Sequence, residues 1–128
     1  MGNVLVWADI PVVDLARASA FYAHVTGEPV LTMPDTGDTV AVIGNPNSAD
    51  PPMFSADLYV GGTPLASGGV TIYFNTNGDL DGMLARVVEV GGEIVQEKQF
   101  MGPMVGWIAF FKDTEGNRIG LQEPGEAA

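Results

Sequence analysis

DLDGMLARVVEVGGEIV, residues 79–95, repeats at a constant offset the earlier stretch DLARASAFYAHVTGEPV, residues 14–30. Asp79 lies 65 positions after Asp14, and at that spacing seven of the seventeen positions are identical: Asp14/Asp79, Leu15/Leu80, Ala20/Ala85, Val25/Val90, Gly27/Gly92, Glu28/Glu93 and Val30/Val95. Two unrelated amphipathic helices match at apolar positions because both must bury a stripe. They have no such reason to share an opening aspartate and a closing Gly-Glu. The pattern reads as one module used twice.

Each copy carries the marks of a helix. Asp14 and Asp79 stand where an N-cap or first-turn acid meets unpaired N–H groups and the positive end of the dipole. Leu15, Ala18, Tyr22 and Val25, and then Leu80, Leu84, Val87 and Val90, recur at steps of three and four residues and form one apolar stripe in each helix. Gly27 and Gly92 are expected to stop the helices. A strand-like run precedes each helix, VLVWADIPV at 4–12 and GVTIYFN at 69–75. Three follow each: VLTM, TVAVIG and MFSADLYV in the first half, EIVQEKQF, GWIAFF and NRIGLQ in the second. The order is strand, helix and three strands, twice over. The join, GGTPLASGG at 61–69, is short and glycine-rich, which suits a connector inside one domain. IGNPNSADPP, 43–52, reads as a surface loop, with a lid beside a ligand site as its functional alternative.

At 128 residues the chain suits a single domain that buries roughly two thirds of its unfolded surface. It has no cysteine, which removes disulfides, thiol nucleophiles and cysteine-held zinc. Sixteen acidic residues against five basic ones, Arg17, Arg86, Lys98, Lys112 and Arg118, give a net charge of -11. The five are scattered, so no row of phosphates could be neutralised, and no nucleic-acid partner is expected. The same field favours neutral or cationic small molecules. No stretch approaches membrane-spanning length and no basic-then-apolar leader opens the chain, so no membrane partner and a cytoplasmic location are expected.

Near the end, FKDTEGNRIGLQEP, 111–124, reads as a hairpin. Asp113 can bond backbone two residues on, and Gly116 supplies a positive φ. Arg118, Ile119, Gly120, Leu121 and Gln122 then alternate as a half-buried strand does. A glycine within a strand marks a bulge or a close approach by a ligand or backbone, which singles out Gly120.

These stretches, IPVVDLARASAFYAHVTG, YFNTNGDLDGMLARVVEVGGEIV and above all DTEGNRIGL, closely resemble the vicinal oxygen chelate superfamily of glyoxalases, bleomycin resistance proteins and extradiol dioxygenases. The resemblance covers nearly the whole chain. It implies an α+β fold of two βαβββ modules, about 1–62 and 66–124, forming a cupped, barrel-like mixed sheet with the helices outside, in one domain over 1–128. By strand alternation, Trp7, Asp9 and Pro11 would share one face, Thr71, Tyr73 and Asn75 another, and Arg118, Gly120 and Gln122 would line the cup, with Val70, Ile72 and Phe74 packed on a helix. Gly120 would then look into the ligand cavity.

Metal-using members of this superfamily hold a divalent ion with His, Gln or Glu from the first, fourth, fifth and eighth strands, and the ion acts as a Lewis acid. By that resemblance the first, fifth and eighth positions are Trp7, Thr71 and Gly120, none a strong ligand. The fourth falls at Met53 or Ser55, with Asp57 the carboxylate nearby. The single histidine, His24, lies nine residues after Leu15 and thus on the helix face opposite the stripe. Asp9 and Asp57 alone supply too few oxygens for a hard cation. No metal and no cofactor are therefore expected.

The expected cavity offers Trp7, Asp9, Thr71, Tyr73, Asn75, Trp107, Arg118, Gly120 and Gln122, aromatic surface with a few polar groups. The leading expectation is a small-molecule binder of the drug-resistance type, probing a neutral or cationic aromatic ligand with Trp7 and Trp107 and balancing it with Asp9. The alternative is an enzyme of the lyase, isomerase or dioxygenase kind, with an atypical metal set or with Asp9 as base and Tyr73 as acid. Relatives of this kind commonly dimerise, so a homodimer is expected.

Overall fold

The computed structural model describes residues 7–34, 36–45 and 53–125. Most of the 43–52 loop and the start of the first expected strand lie outside them. The chain divides into two compact units, Met1–Pro64 and Leu65–Ala128, the boundary falling inside the glycine-rich connector.

In the first unit β1 (Asp9–Val12) leads to α1 (Leu15–Thr26), then to β2 (Val30–Thr32), β3 (Val40–Asn45) and β4 (Met53–Val60). The sheet order is β1-β4-β3-β2, parallel between β1 and β4 and antiparallel elsewhere. The second unit repeats this arrangement with β5 (Tyr73–Asn75), α2 (Leu80–Glu89), β6 (Glu93–Phe100), β7 (Trp107–Lys112) and β8 (Arg118–Glu123), in the order β5-β8-β7-β6. The duplicated sequence is thus a duplicated α+β module, βαβββ in each half.

Alternation in the strands sorts the core. Ile10, Val12, Ala41, Ile43, Ala56 and Leu58 are buried, as are Ala18, Phe21, Tyr22 and Val25 of α1. Each such large apolar side chain contributes about 1.5–3 kcal/mol by leaving water. The stripe is wider than the sequence suggests: Phe21 joins it, while Leu15 is half-buried. Asp14 caps α1 by accepting from the Arg17 N–H at 3.0 Å, and Gly27, at φ 73°, closes it by donating to Ala23 O. His24 is exposed.

In the second unit Leu80, Met83, Leu84 and Val87 of α2 are buried together with Ala109, Phe111, Ile119 and Leu121. Two local expectations are corrected here. Gly91, not Gly92, takes the positive φ that ends α2 (92°): Gly92 N–H donates to Val87 O and Gly91 N–H to Val88 O, the paired bonds of a Schellman end. Asp79 sits at the N-cap but its carboxylate pairs with Arg86 at 3.1 Å, and the cap bond comes from Glu123, whose Oε1 accepts from Leu80 N–H at 2.8 Å and from the Thr76 hydroxyl at 3.2 Å. The last strand therefore fastens the start of the helix that packs on it.

The 113–117 turn forms as its sequence suggests. Asp113 Oδ1 accepts from the N–H groups of Glu115 and Asn117 at 2.9 and 2.8 Å, and Gly116 has φ 98°. Asn117 in turn accepts from Leu65 N–H, and Leu65 O accepts from Arg118 N–H. Those bonds tie the connector to the head of β8. The connector turns at Gly68 and Gly69, both at positive φ, so β5 starts late and Val70 is 94% exposed rather than packed on a helix.

Candidate functional site

Each unit presents one sheet face away from its helix. In the first unit that face carries the neighbours Asp9 and Asp57, which are Cα partners on the parallel strands β1 and β4. The Asp57 side chain interacts with that of Asp9. Trp7, 45% exposed, donates its indole N–H to Asp57 Oδ2 at 2.8 Å. Burial is the main force raising the Asp57 pKa from 3.8 to about 6; the bond to Asp9 and its charge add to the rise, and the indole donor opposes it. Trp7 and Asp9 are thus brought together as expected, and Asp57, noted in the sequence only as the carboxylate nearby, is the centre of the group. Ser55 is exposed two residues before it.

On the second unit the corresponding face is built on β8. Arg118, Gly120 and Gln122 alternate along it, Tyr73 and Asn75 of β5 are the partners of Gly120 and Gln122, and Phe110 and Ile108 of β7 lie on the other side. Gly120 is buried, and it does not open onto a cavity: the Tyr73 ring covers it, so that a Cβ there would stand 2.6 Å from Tyr73 Cε2 and 2.9 Å from Cγ. The glycine makes room for a side chain of its own fold. The Tyr73 ring, so seated, meets Phe110 edge-on at 5.5 Å and forms one wall of a concavity of about 440 Å³.

Met101, Val105, Ile108 and Gln122 complete that concavity. Met101 and Val105 belong to the β6–β7 loop, a compact turn closed by Met101 N–H to Gly106 O and Gly106 N–H to Gly102 O, both 2.8 Å. Gln122 Nε2 donates to Val105 O at 2.7 Å, which fixes the loop over β8. The wall is apolar apart from the Gln122 amide and the Tyr73 hydroxyl. Arg118, at the other end of the same face, lays its guanidinium over Phe110 at 3.8 Å and donates to Thr71 Oγ1 at 3.3 Å.

Of two further expected members, one falls on the other face and one is engaged locally. Trp107 is on the opposite face of the sheet, because Ile108 and Phe110 share a side with Gln122 and Gly120 and Trp107 alternates with them. There it packs against Phe100 at 5.3 Å beneath Lys98, which pairs with Asp81 of α2. Asn75 is exposed and accepts from Asn77 N–H at 2.9 Å, holding the turn that leaves β5. Alternation alone could not choose the right face of WIAFF, since both are apolar. Met101 and Val105 carried no signal except that two glycines flank their loop.

The residues present do not fit a divalent ion at the positions used by metal-holding relatives. In the first unit those positions offer the Trp7 indole and, on the fourth strand, the Asp57 carboxylate that this indole engages; in the second they offer a threonine hydroxyl engaged by Arg118 and a glycine covered by an aromatic ring, so each falls short of a strong donor set. Among the described residues there is also no group of three or more His, Asp or Glu that could hold one.

Residues 4–121 match the family model for the glyoxalase/bleomycin resistance protein/dioxygenase superfamily. Solved structures with the same fold include a glyoxalase/bleomycin resistance protein from Albidiferax ferrireducens T118, with 16% identity and a TM-score of 0.73 over 96% of this chain and 100% of that one. The hypothetical protein SA1046 from S. aureus has 23% identity and a TM-score of 0.67, over 94% and 98%. The fosfomycin resistance protein FosX from Listeria monocytogenes, complexed with Mn(II) and sulfate, has 14% identity and a TM-score of 0.69, over 98% and 93%. A comparison with curated protein sequences finds no match.

Proposed function

The chain belongs to the glyoxalase/bleomycin resistance protein/dioxygenase superfamily, and from that premise we propose that it is a small-molecule-binding member which works without the superfamily's usual metal. The aromatic or aliphatic body of its ligand seats against Tyr73 in the second unit. The observation that carries this reading is the concavity of about 440 Å³ walled by Tyr73, Met101, Val105 and Ile108, with Gln122 as its polar member. Its volume and makeup suit a drug-sized ligand, which gains from apolar burial and is oriented by a few polar groups. Gln122 spends its amide N–H on Val105, so its Oε1 is the acceptor left for a ligand. Among the described residues no helix is long and apolar enough to cross a membrane, and the reading is of a cytoplasmic homodimer, which light scattering on the purified chain tests.

The test of the site is a titration with 2-naphthamide, a neutral bicyclic probe, followed by calorimetry. Val105→Trp, on an exposed loop, fills the mouth of the concavity without touching the core and should abolish the heat. Binding left unchanged by that substitution would place the ligand elsewhere.

A second reading, enzymatic proton transfer, is favoured by one specific observation: Asp57, with its pKa raised to about 6, beside Asp9 and under an indole donor. A carboxyl tuned toward neutrality is what a general acid or base needs. The group so tuned is Asp57, and Tyr73 belongs to the other unit. Deuterium exchange from D₂O into the α-position of small ketones would reveal such chemistry; it should persist in chelator and vanish in Asp57→Asn.

A further inference from the structure

We infer that the ligand of the second unit is an organic anion, a small carboxylate whose apolar body fills the concavity beside Tyr73 and whose charged end meets the guanidinium of Arg118. The inference rests on the concavity being the binding site and adds the chemistry of the ligand's polar end.

The chain has sixteen acids and five bases, so any arginine has carboxylates to spare. Arg86, Lys98 and Lys112 each take one, Asp79, Asp81 and Glu93 respectively, at 3.1, 3.1 and 3.8 Å. Arg118 takes none among the described residues. Its guanidinium has five N–H donors in a rigid planar fork, and the bond to Thr71 uses one. It is nonetheless half-buried, and it is held rather than loose, stacked on Phe110 at 3.8 Å with the Thr71 hydroxyl at its edge. A partly desolvated charge without a counter-charge is unfavourable. One fixed in place, with most of its donors uncommitted, is preorganised for a bidentate oxyanion.

Position supplies the second half of the argument. Arg118, Gly120 and Gln122 occupy successive positions on one face of β8, so the first and last are about 13 Å apart at their backbones. The guanidinium reaches back over Phe110, the partner of Gly120, and the Phe110 ring is 5.5 Å from that of Tyr73, which walls the concavity. Guanidinium, Tyr73 ring and Gln122 amide therefore follow one another along a single face. A bicyclic aromatic acid has the length to lie on Tyr73 with its carboxylate at Arg118.

The net charge of -11 pointed toward neutral or cationic ligands, and it does slow the approach of an anion. That field is screened within about 8 Å at physiological salt, whereas a bidentate guanidinium acts at contact. Affinity at this face is therefore set by the local cation.

Calorimetric titration of the full chain with 2-naphthoate and with 2-naphthamide, the neutral compound of the same shape, tests the inference at pH 7.5 and physiological salt. The carboxylate should bind at least tenfold more tightly. Arg118→Met, which keeps an unbranched stem against Phe110, should remove that advantage by weakening the carboxylate more than the amide; Arg118→Gln should do the same. Equal affinities in the unaltered protein, a comparison that needs no variant, would overturn the anion while leaving the concavity intact, provided Val105→Trp still abolishes binding. Arg118 variants that weaken both probes alike would also overturn it. If neither probe binds, both the anion and the concavity fall.

Discussion

Replacing Gly120 by alanine adds a single methyl group to a buried strand, and the structure says where that methyl must go. It would stand 2.6 Å from Tyr73 Cε2 and 2.9 Å from Cγ, well inside the roughly 3.5–4.0 Å at which carbon atoms rest. The backbone of Gly120 cannot retreat. Its N–H is bonded to Ile72 O at 2.8 Å and its other flank is paired with Phe110. Tyr73 is 46% exposed and can swing outward, but it then loses the edge-on contact with Phe110, worth about 0.5–1.5 kcal/mol. Overpacking of this kind costs about 1–3 kcal/mol, so Gly120→Ala should lower the stability measured by urea unfolding by about 2 kcal/mol. The same substitution made on Tyr73→Ala no longer meets the three ring atoms nearest to that methyl. There alanine should be the better residue by about 0.5–1 kcal/mol, because glycine loses more backbone entropy on folding. The double-mutant cycle should thus show a change of sign. An equal cost in both backgrounds would refute the account, since it would mean that Gly120 is required by its backbone or by some other neighbour.

Asp57→Asn should change how stability depends on pH. A carboxyl with a folded pKa of about 6, raised from 3.8, binds a proton in the folded state before the unfolded chain does, so its contribution is fully present below 3.8 and is lost as pH climbs through about 6. The rise bounds the effect at about 3 kcal/mol; since Asp57 keeps some access to water, about 1 kcal/mol is the working figure. The variant should match the parent near pH 3.5 and be more stable by that amount at pH 8, and parallel curves across pH 4–8 would overturn the paired-carboxyl description. Glu123→Ala should cost about 1 kcal/mol by leaving Leu80 N–H without its acceptor, the Thr76 hydroxyl keeping Gln122 O, with Glu123→Gln losing less; a neutral Glu123→Ala in thermal melts would show that β8 does not cap α2.

Much of the architecture was legible from the chain because it rests on local rules. The repeat at offset 65, the capping aspartate at 14, the stripes at helical spacing and the Asp-Gly turn at 113–116 each constrain a few neighbouring residues, and each produced the element it suggests. Only the tertiary structure decided which side chains meet. Asp57 has its carboxyl altered mainly by burial and then by a parallel partner 48 positions earlier (57 minus 9), and Glu123 found the amide of Leu80 across 43 positions. Trp107 went to the helix side because the register of β7 against β8 gave the open face to Ile108 and Phe110. Gly120, the residue that most suggested a ligand, turned out to make room for Tyr73. Local propensity depends on neighbours along the chain, which the sequence displays. Register and close approach depend on neighbours across a sheet, which exist only once the chain has folded.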